Sequence, residues 1–195
     1  MTAAVRRSIG LVAVAVTALS SATVRAQIDF LPEEFSAIAN DAGVGAASTS
    51  CIDIRINRWA SARDEEALSR ILVADGPEAL LDAVRDTAAA GSIQSPGSLS
   101  WSLRFAWQQR TADGGRRIVI LTDRPIGGWE ILLGSPTLEY PFSVIELWLD
   151  GSGEGEGTLS VATQIAIDPD DGLVNVEGYD PQGVGLTRVT SRRPT

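Results

Sequence analysis

The chain has 195 residues, a net charge of −9, a single cysteine and no histidine. Without histidine it cannot form the Ser-His-Asp or Cys-His pairs of nucleophilic catalysis, and one cysteine cannot complete the usual zinc site. The acidic balance predicts no nucleic-acid partner, because nucleic-acid binding needs clustered positive charge. We expect no metal ion and no cofactor.

The first 26 residues have the three-part pattern of a secretory signal peptide. Arg6 and Arg7 give a basic start, residues 9–24 form an apolar stretch, and Val24 and Ala26 place small side chains at the −3 and −1 positions of a cleavage site. The apolar stretch is shorter than a membrane-spanning helix requires. We therefore expect cleavage after residue 26, export to a periplasmic or secreted endpoint, and no stable membrane insertion after cleavage.

Residues 27–50 are expected to form a flexible lead-in, because they include a linker-like run of small residues at 43–50. Within this lead-in, residues 32–35 have the composition of a short helix start, with proline in the first turn and acids beside it. In residues 51–59, isoleucines alternate with polar residues, which predicts a strand with one solvated face.

Two helices are predicted after this strand. Ser61 is placed to cap the first helix, with Asp64 at the third helical position. Asp75-Gly76 is expected to end that helix and Pro77 to begin the second. The apolar residues of both segments recur at helical spacing, so each helix is expected to bury one side.

From residue 98 onward, segments with period-two alternation are separated by turns rich in Gly and Asp, which predicts an antiparallel meander. The strands are expected at residues 99–107, 117–122, 143–149, 158–167, 173–179 and 186–191. The predicted fold class is α+β: a single domain over residues 51–195, with a mainly antiparallel sheet of about seven strands and two helices packed on one face. The alternative is a small closed β-barrel with Trp101, Phe105 and Trp107 inside.

Several segments resemble an uncharacterised family of exported bacterial proteins. They are the stretch from Trp101 to Trp107, Asp113-Gly114-Gly115-Arg116-Arg117, Leu121-Thr122-Asp123-Arg124-Pro125-Ile126, Tyr140-Pro141-Phe142-Ser143-Val144-Ile145-Glu146-Leu147, and the stretch from Gly153 to Gly157. The resemblance covers about residues 51–189. It implies export and a single mixed domain, and it implies no catalytic residues.

The connection over residues 123–142 is the main candidate for a binding site, because long connections in compact domains often carry function. Its candidate ligand-binding residues are Asp123, Arg124, Trp129, Glu130, Glu139 and Tyr140. An arginine, aromatic rings and carboxylates beside a flexible Gly-Gly pair are able to line a polar cleft. The structural alternative is that Asp123 pairs with Arg124 or caps a turn, while Trp129 packs in the core.

Two further features have a structural explanation beside a functional one. The acidic loops at residues 150–157 and 168–172 offer oxygen ligands suited to calcium, but hairpin turns are rich in Asp and Gly for backbone reasons alone. The aromatic residues Trp101, Phe105 and Trp107 could stack on a sugar, although core packing explains them more simply.

Two functional classes remain open. The first is a non-catalytic envelope or periplasmic protein that binds a small molecule or another protein. The second is a carboxylate-dependent hydrolase, for example on glycosides, which would need two acids about 5–9.5 Å apart. Glu130, Glu139 and Glu146 would be its candidate acids, and no catalytic residue is assigned.

Overall fold

The computed structural model describes residues 31–41, 48–97, 99–123, 142–167, 174–178 and 183–193. The predicted signal peptide lies outside these ranges. The described elements are strands β1 (Glu33–Asp41), β2 (Ser48–Ile56), β3 (Gly91–Gln94), β4 (Trp101–Leu103), β5 (Phe105–Arg110), β6 (Arg116–Thr122), β7 (Phe142–Leu149), β8 (Glu154–Ile167), β9 (Val174–Gly178) and β10 (Val184–Arg192), and helix α1 (Ala62–Asp86). No helix in the described ranges combines the length and the apolar character that crossing a membrane requires.

The strands form one antiparallel sheet that curls into a nearly closed barrel. Its order is β4-β3-β2-β1-β10-β8-β7-β6-β5, with β9 paired to β8. The two ends of this order meet, because only Arg104 separates β4 from β5 along the chain. On one side of the junction Ala90 N donates to Leu103 O at 2.7 Å, and on the other Arg104 N donates to Leu121 O at 2.9 Å. The barrel predicted as the alternative fold therefore matches the structure, and the sheet is mainly antiparallel as expected.

Apolar side chains fill the inside of the barrel. Ile52, Ile54 and Ile56 of β2 are buried, as their alternation predicted, and Phe35 of β1 lies directly opposite Ile54. The same cluster includes Ile93, Leu103, Ala106, Ile118, Ile120, Ile145, Leu147, Leu149, Leu159, Val184, Leu186 and Val189. Burying a large aliphatic side chain contributes about 1.5–3 kcal/mol, so this cluster is the main source of stability.

Helix α1 packs against the outside of the barrel. Its buried residues are Leu72, Leu80 and Val84, and they belong to a second apolar cluster with Leu121, Phe142, Val144 and Ile165. This cluster explains why β6 is apolar on both faces: Ile118 and Ile120 face the barrel core, and Leu121 faces the helix. The helix thus covers the outer face of β6, β7 and part of β8.

The prediction of two helices is wrong, because a single helix spans residues 62–86. The predicted position of the interruption is nevertheless correct, because Gly76 alone has non-helical backbone angles (φ 86°, ψ −175°), directly before Pro77. The predicted start is confirmed as a capping box. Asp64 N donates to Ser61 Oγ at 3.3 Å, and Ser61 N donates to Asp64 Oδ2 at 2.8 Å.

The predicted number of about seven strands is also wrong, because ten occur in the described residues. Residues 33–41, placed in a flexible lead-in that could open a helix, form β1 and pair with both β2 and β10. Their alternation was hidden because two of the inward residues, Ala37 and Ala39, are small. Residues 91–94, where no strand was predicted, form β3, in which Ile93 is the one large buried side chain.

The aromatic residues of β4 and β5 do not share one face, contrary to the predicted barrel with Trp101, Phe105 and Trp107 inside. Leu103 and Ala106 are both fully buried, so the alternation slips by one residue near Arg104. Trp101 therefore packs against the barrel core, whereas Phe105 packs against the cluster beneath α1. Trp107 lies between the buried Ala106 and Gln108 in sequence and is only half-buried.

One ion pair is buried inside an end of the barrel. The Glu33 carboxylate, only 2 % exposed, accepts from Arg116 Nη2 at 2.6 Å and from Arg116 Nη1 at 2.9 Å. Gln108 Oε1 also accepts from Arg116 Nη1, at 3.0 Å. The pair joins β1 to β6 across the barrel interior, and each charge depends on the other because neither is well hydrated.

Replacing Glu33 with alanine (Glu33→Ala) should lower the free energy of unfolding by about 3–5 kcal/mol, because Arg116 would stay buried without its partner. The double variant Glu33→Leu/Arg116→Met should recover most of that loss, since apolar side chains often replace a buried pair at little cost. Urea denaturation measures both. The control is Arg85→Ala, which removes an exposed pair with Asp82 and should change stability by less than about 1 kcal/mol. If Glu33→Ala and Arg85→Ala lowered the free energy of unfolding by the same small amount, the burial of the Glu33–Arg116 pair would be contradicted.

Candidate functional site

A polar cleft of about 210 Å³ lies on the outer face of the barrel, across β10, β1, β2 and β3. It is lined by Glu34, Phe35, Ser36, Asp53, Ile54, Arg55, Ser92, Gln94 and Arg192. The polar residues occupy the strand positions that alternate with core residues such as Phe35 and Ile54, so the same pleat that builds the core also builds the cleft.

Glu34 lies between two arginines in this cleft. Its Oε1 accepts from Arg55 Nε at 2.8 Å and from Arg55 Nη2 at 2.6 Å, and its Oε2 accepts from Arg192 Nη2 at 3.1 Å. The sheet register causes this arrangement, because Glu34 is directly opposite Arg55 on β2 and Arg192 on β10. The hydrogen bonds from Arg192 and Arg55 lower the pKa of Glu34 below its ordinary value, so the carboxylate stays ionised near neutral pH.

A second cross-strand pair lies one row further along the cleft. Ser36 Oγ donates to Asp53 Oδ1 at 2.8 Å, and the two residues are register partners on β1 and β2. Ser92 and Gln94 of β3 complete that side of the cleft. The cleft therefore presents guanidinium and hydroxyl donors next to carboxylate and amide acceptors, an arrangement that suits a polar ligand.

Of the six predicted ligand-binding residues, only Asp123 lies in the described ranges. Arg124, Trp129, Glu130, Glu139 and Tyr140 lie outside them. Asp123, with a side chain only 9 % exposed, accepts from Arg104 Nε at 3.1 Å and from Arg104 Nη2 at 3.5 Å. Arg104 Nη1 also donates to Thr87 O at 3.3 Å, just after α1. Asp123 thus anchors the β4–β5 junction to the end of β6 and lies apart from the residues that line the cleft.

The substitution Asp123→Asn should lower the free energy of unfolding by about 1–3 kcal/mol, because it removes a charged hydrogen-bond acceptor from Arg104. It should leave binding at the cleft unchanged, since Asp123 does not line the cleft. Thermal denaturation and a ligand titration measure the two effects separately. A variant with normal stability and impaired binding would instead return Asp123 to the binding site.

The other candidate carboxylates have structural partners where they are described. Glu146 pairs with Arg117, while Glu130 and Glu139 lie outside the described residues.

In the turn after β7, Asp150 Oδ1 accepts from Ser152 Oγ at 2.6 Å, from Ser152 N at 2.8 Å and from Glu154 N at 3.1 Å. The hydrogen bond from the Ser152 side chain is the main reason that the pKa of Asp150 is lowered. Within the described ranges, no three His, Cys, Asp or Glu residues are grouped as a metal site requires, and the loop at residues 168–172 lies outside them.

Low pH should remove the stability that the ionised Glu34 contributes through its two arginine partners. Because its pKa is lower in the folded state, Glu34 contributes stability that is complete above the ordinary glutamate value of about 4.3 and is lost as the pH falls through the lower folded value. The wild type should therefore have a higher free energy of unfolding than Glu34→Gln near neutral pH, and this difference should shrink as the pH falls. Urea denaturation at several pH values measures it. Glu156→Gln, at an exposed position of β8, is the control. A difference in free energy of unfolding that stays constant through the acid range would contradict the pairing of Glu34 with the two arginines.

Comparisons with protein-family models, with curated proteins and with solved structures give no match. The functional argument therefore depends on the geometry of this chain. The sequence pattern had placed Asp53 and Arg55 on a solvated strand face but did not indicate their partners Ser36 and Glu34, or that Arg192 also binds Glu34. Recognising the alternation of Phe35, Ala37 and Ala39 would have identified β1, and with it the outward position of Glu34.

Proposed function

We propose that this protein is an exported, non-catalytic binding module whose outer cleft holds a small polar molecule. The observation that carries the proposal is the preformed cluster of Arg55, Glu34 and Arg192, because its hydrogen bonds orient charged donors and acceptors along the lining of a cleft before any ligand arrives. Such preorganisation lowers the entropic cost of binding. The signal-peptide pattern of residues 1–26 supports the exported location.

The chemistry of the cleft favours recognition over hydrolysis. A carboxylate-dependent hydrolase needs one carboxylic acid that stays protonated near neutral pH, which requires a raised pKa. In the cleft the pKa of Glu34 is lowered, and the Asp53 carboxylate accepts a hydrogen bond from Ser36. Both groups therefore act as fixed acceptors in the proposal, and a glycosidase remains the alternative function.

Native and denatured mass spectrometry of the protein from a periplasmic extract tests this proposal. We expect extra mass, of small-molecule size, in the native spectrum only, and a denatured mass that begins at Gln27. The extra mass should disappear in the double variant Arg55→Ala/Arg192→Ala, which removes both guanidiniums from the cleft. It should persist in Arg110→Ala, which removes an exposed arginine from β5, outside the cleft.

Three results would contradict the proposal. Extra mass that survives in the double variant would place the ligand elsewhere. Glycoside hydrolysis by the wild type that is lost in Glu34→Gln would support the enzyme instead. A native mass that corresponds to an added polypeptide would indicate a protein partner in place of a small molecule.

A further inference from the structure

Two tryptophans on the outer face of the barrel belong to neither apolar cluster. Trp107 of β5 and Trp148 of β7 each lie between two buried neighbours in sequence, so both side chains point outward. Trp101 and Phe105 pack against the clusters, but these two residues do not. Trp148 is 40 % exposed and is the one exposed aromatic side chain in the described ranges. Packing of the core therefore explains neither tryptophan.

The indole N–H groups of both residues have no acceptor among the residues that the structure describes. In the core, by contrast, Trp59 Nε1 donates to Leu31 O at 2.9 Å. A tryptophan N–H usually has a hydrogen-bond partner where the ring is buried inside the fold. Trp107 and Trp148 therefore offer a hydrogen-bond donor, as well as ring surface, to a molecule outside the chain.

An ion pair lies between the two indoles. Trp148 is directly opposite Arg117 on β6, and Trp107 shares a row with Val119 of β6 and Glu146 of β7. Arg117 Nη2 donates to Glu146 Oε1, which orients both side chains. Arg117 Nε is buried without an acceptor, whereas Arg117 Nη1 and Glu146 Oε2 are not buried and have no partner in the described ranges. The pair therefore keeps one donor and one acceptor for a ligand.

We call these four residues the tryptophan platform (Trp107, Arg117, Glu146 and Trp148). Two strand spacings and one two-residue step separate the Cα atoms of its tryptophans, which is about 12 Å. A pyranose ring has C–H groups on its face, which pack on an indole, and hydroxyls on its rim, each of which both donates and accepts. Because the separation exceeds the length of one sugar ring, a chain of linked rings is needed to contact both indoles.

The charges of the platform disfavour other occupants. The cores of protein interfaces are depleted of charged residues, whereas here an ion pair separates the two indoles. Sites that stack nucleic-acid bases combine aromatic rings with a positively charged groove. The platform instead contains Glu146 and has Glu156 of β8 directly opposite Trp148, in a protein whose net charge is −9. An uncharged ligand rich in hydroxyls is compatible with all of these groups.

We infer that the tryptophan platform is a second binding site, and that its ligand is a neutral oligosaccharide. The platform lies on β5, β6 and β7, whereas the cleft lies on β10, β1, β2 and β3. The inference therefore does not depend on the proposed function of the cleft.

NMR titration of the tryptophan indole N–H signals tests the inference on the protein from a periplasmic extract. The probes are cellohexaose, maltohexaose and chitohexaose, and sorbitol, a polyol without a ring, is the control. At least one hexasaccharide should shift the signals of Trp107 and Trp148 saturably and leave that of Trp59 unchanged, and sorbitol should shift none. The corresponding monosaccharide should bind roughly tenfold more weakly or worse, because it contacts only one indole.

Variants of the platform separate binding from stability. Trp107→Ala and Trp148→Ala should each lower the hexasaccharide affinity roughly tenfold and remove its advantage over the monosaccharide. Their melting temperatures should stay close to that of the wild type, since neither ring belongs to an apolar cluster. Trp148→Phe keeps a ring but loses the N–H, so its affinity should be intermediate. Val73→Ala, which shortens an exposed apolar side chain on α1, is the control and should bind like the wild type.

Three results would overturn the inference. If none of the three hexasaccharides shifted the Trp107 and Trp148 signals saturably, the platform would not be an oligosaccharide site. A hexasaccharide affinity that is unchanged in both tryptophan variants but lost in Arg55→Ala/Arg192→Ala would place the sugar in the cleft. Shifts of the two indole signals that grow with protein concentration in the absence of sugar, together with a native mass of two chains, would show that a second copy covers the platform.

Discussion

Closure of the sheet at Arg104 is the constraint on which the rest of the structure depends. One short stretch of chain serves both ends of the sheet, because β4 pairs with β3 and β5 pairs with β6. The slip in alternation at this junction turns Leu103 and Ala106 toward the core and leaves Phe105 for the cluster beneath α1. Asp123 holds the Arg104 side chain in place. Without this junction, the sheet would have two open edges and a divided core.

Closure also explains how two adjacent glutamates acquire opposite roles. β1 lies between β2 and β10, so its residues contact the barrel interior on one face and a cross-strand polar row on the other. Glu33 points inward and pairs with Arg116 across the core, whereas Glu34 points outward and is flanked by Arg55 and Arg192. The cleft is therefore a consequence of pairing the first described strand with the last. A binding surface of this kind needs no interior cavity, which agrees with the apolar filling of the barrel.

The sequence predicted elements whose signal is local and missed those that depend on long-range pairing. The isoleucines of β2, the capping box at Ser61 and most C-terminal strands were predictable, because period and capping chemistry are visible within a few residues. β1 was missed because Ala37 and Ala39 give a weak alternation, and the slip at Arg104 is a single residue that no period reveals. The cleft was missed for a similar reason: Arg55 was predicted as exposed, but its partner Glu34 lies 21 positions away in sequence, and the second arginine that binds Glu34, Arg192, lies 158 positions from it. Five of the predicted site residues lie outside the described ranges, and export remains a prediction.

Amide hydrogen exchange at the closing junction measures whether the sheet is closed at Arg104. The Ala90 and Arg104 amides donate to Leu103 O and Leu121 O, so they report on the contacts of the junction with β3 and β6. In a closed barrel, both should exchange as slowly as the amides of Ile54 and Ile120, through global unfolding alone. Fast exchange at Ala90 and Arg104, with Ile54 and Ile120 still protected, would show that the sheet is open at this point and would contradict the barrel.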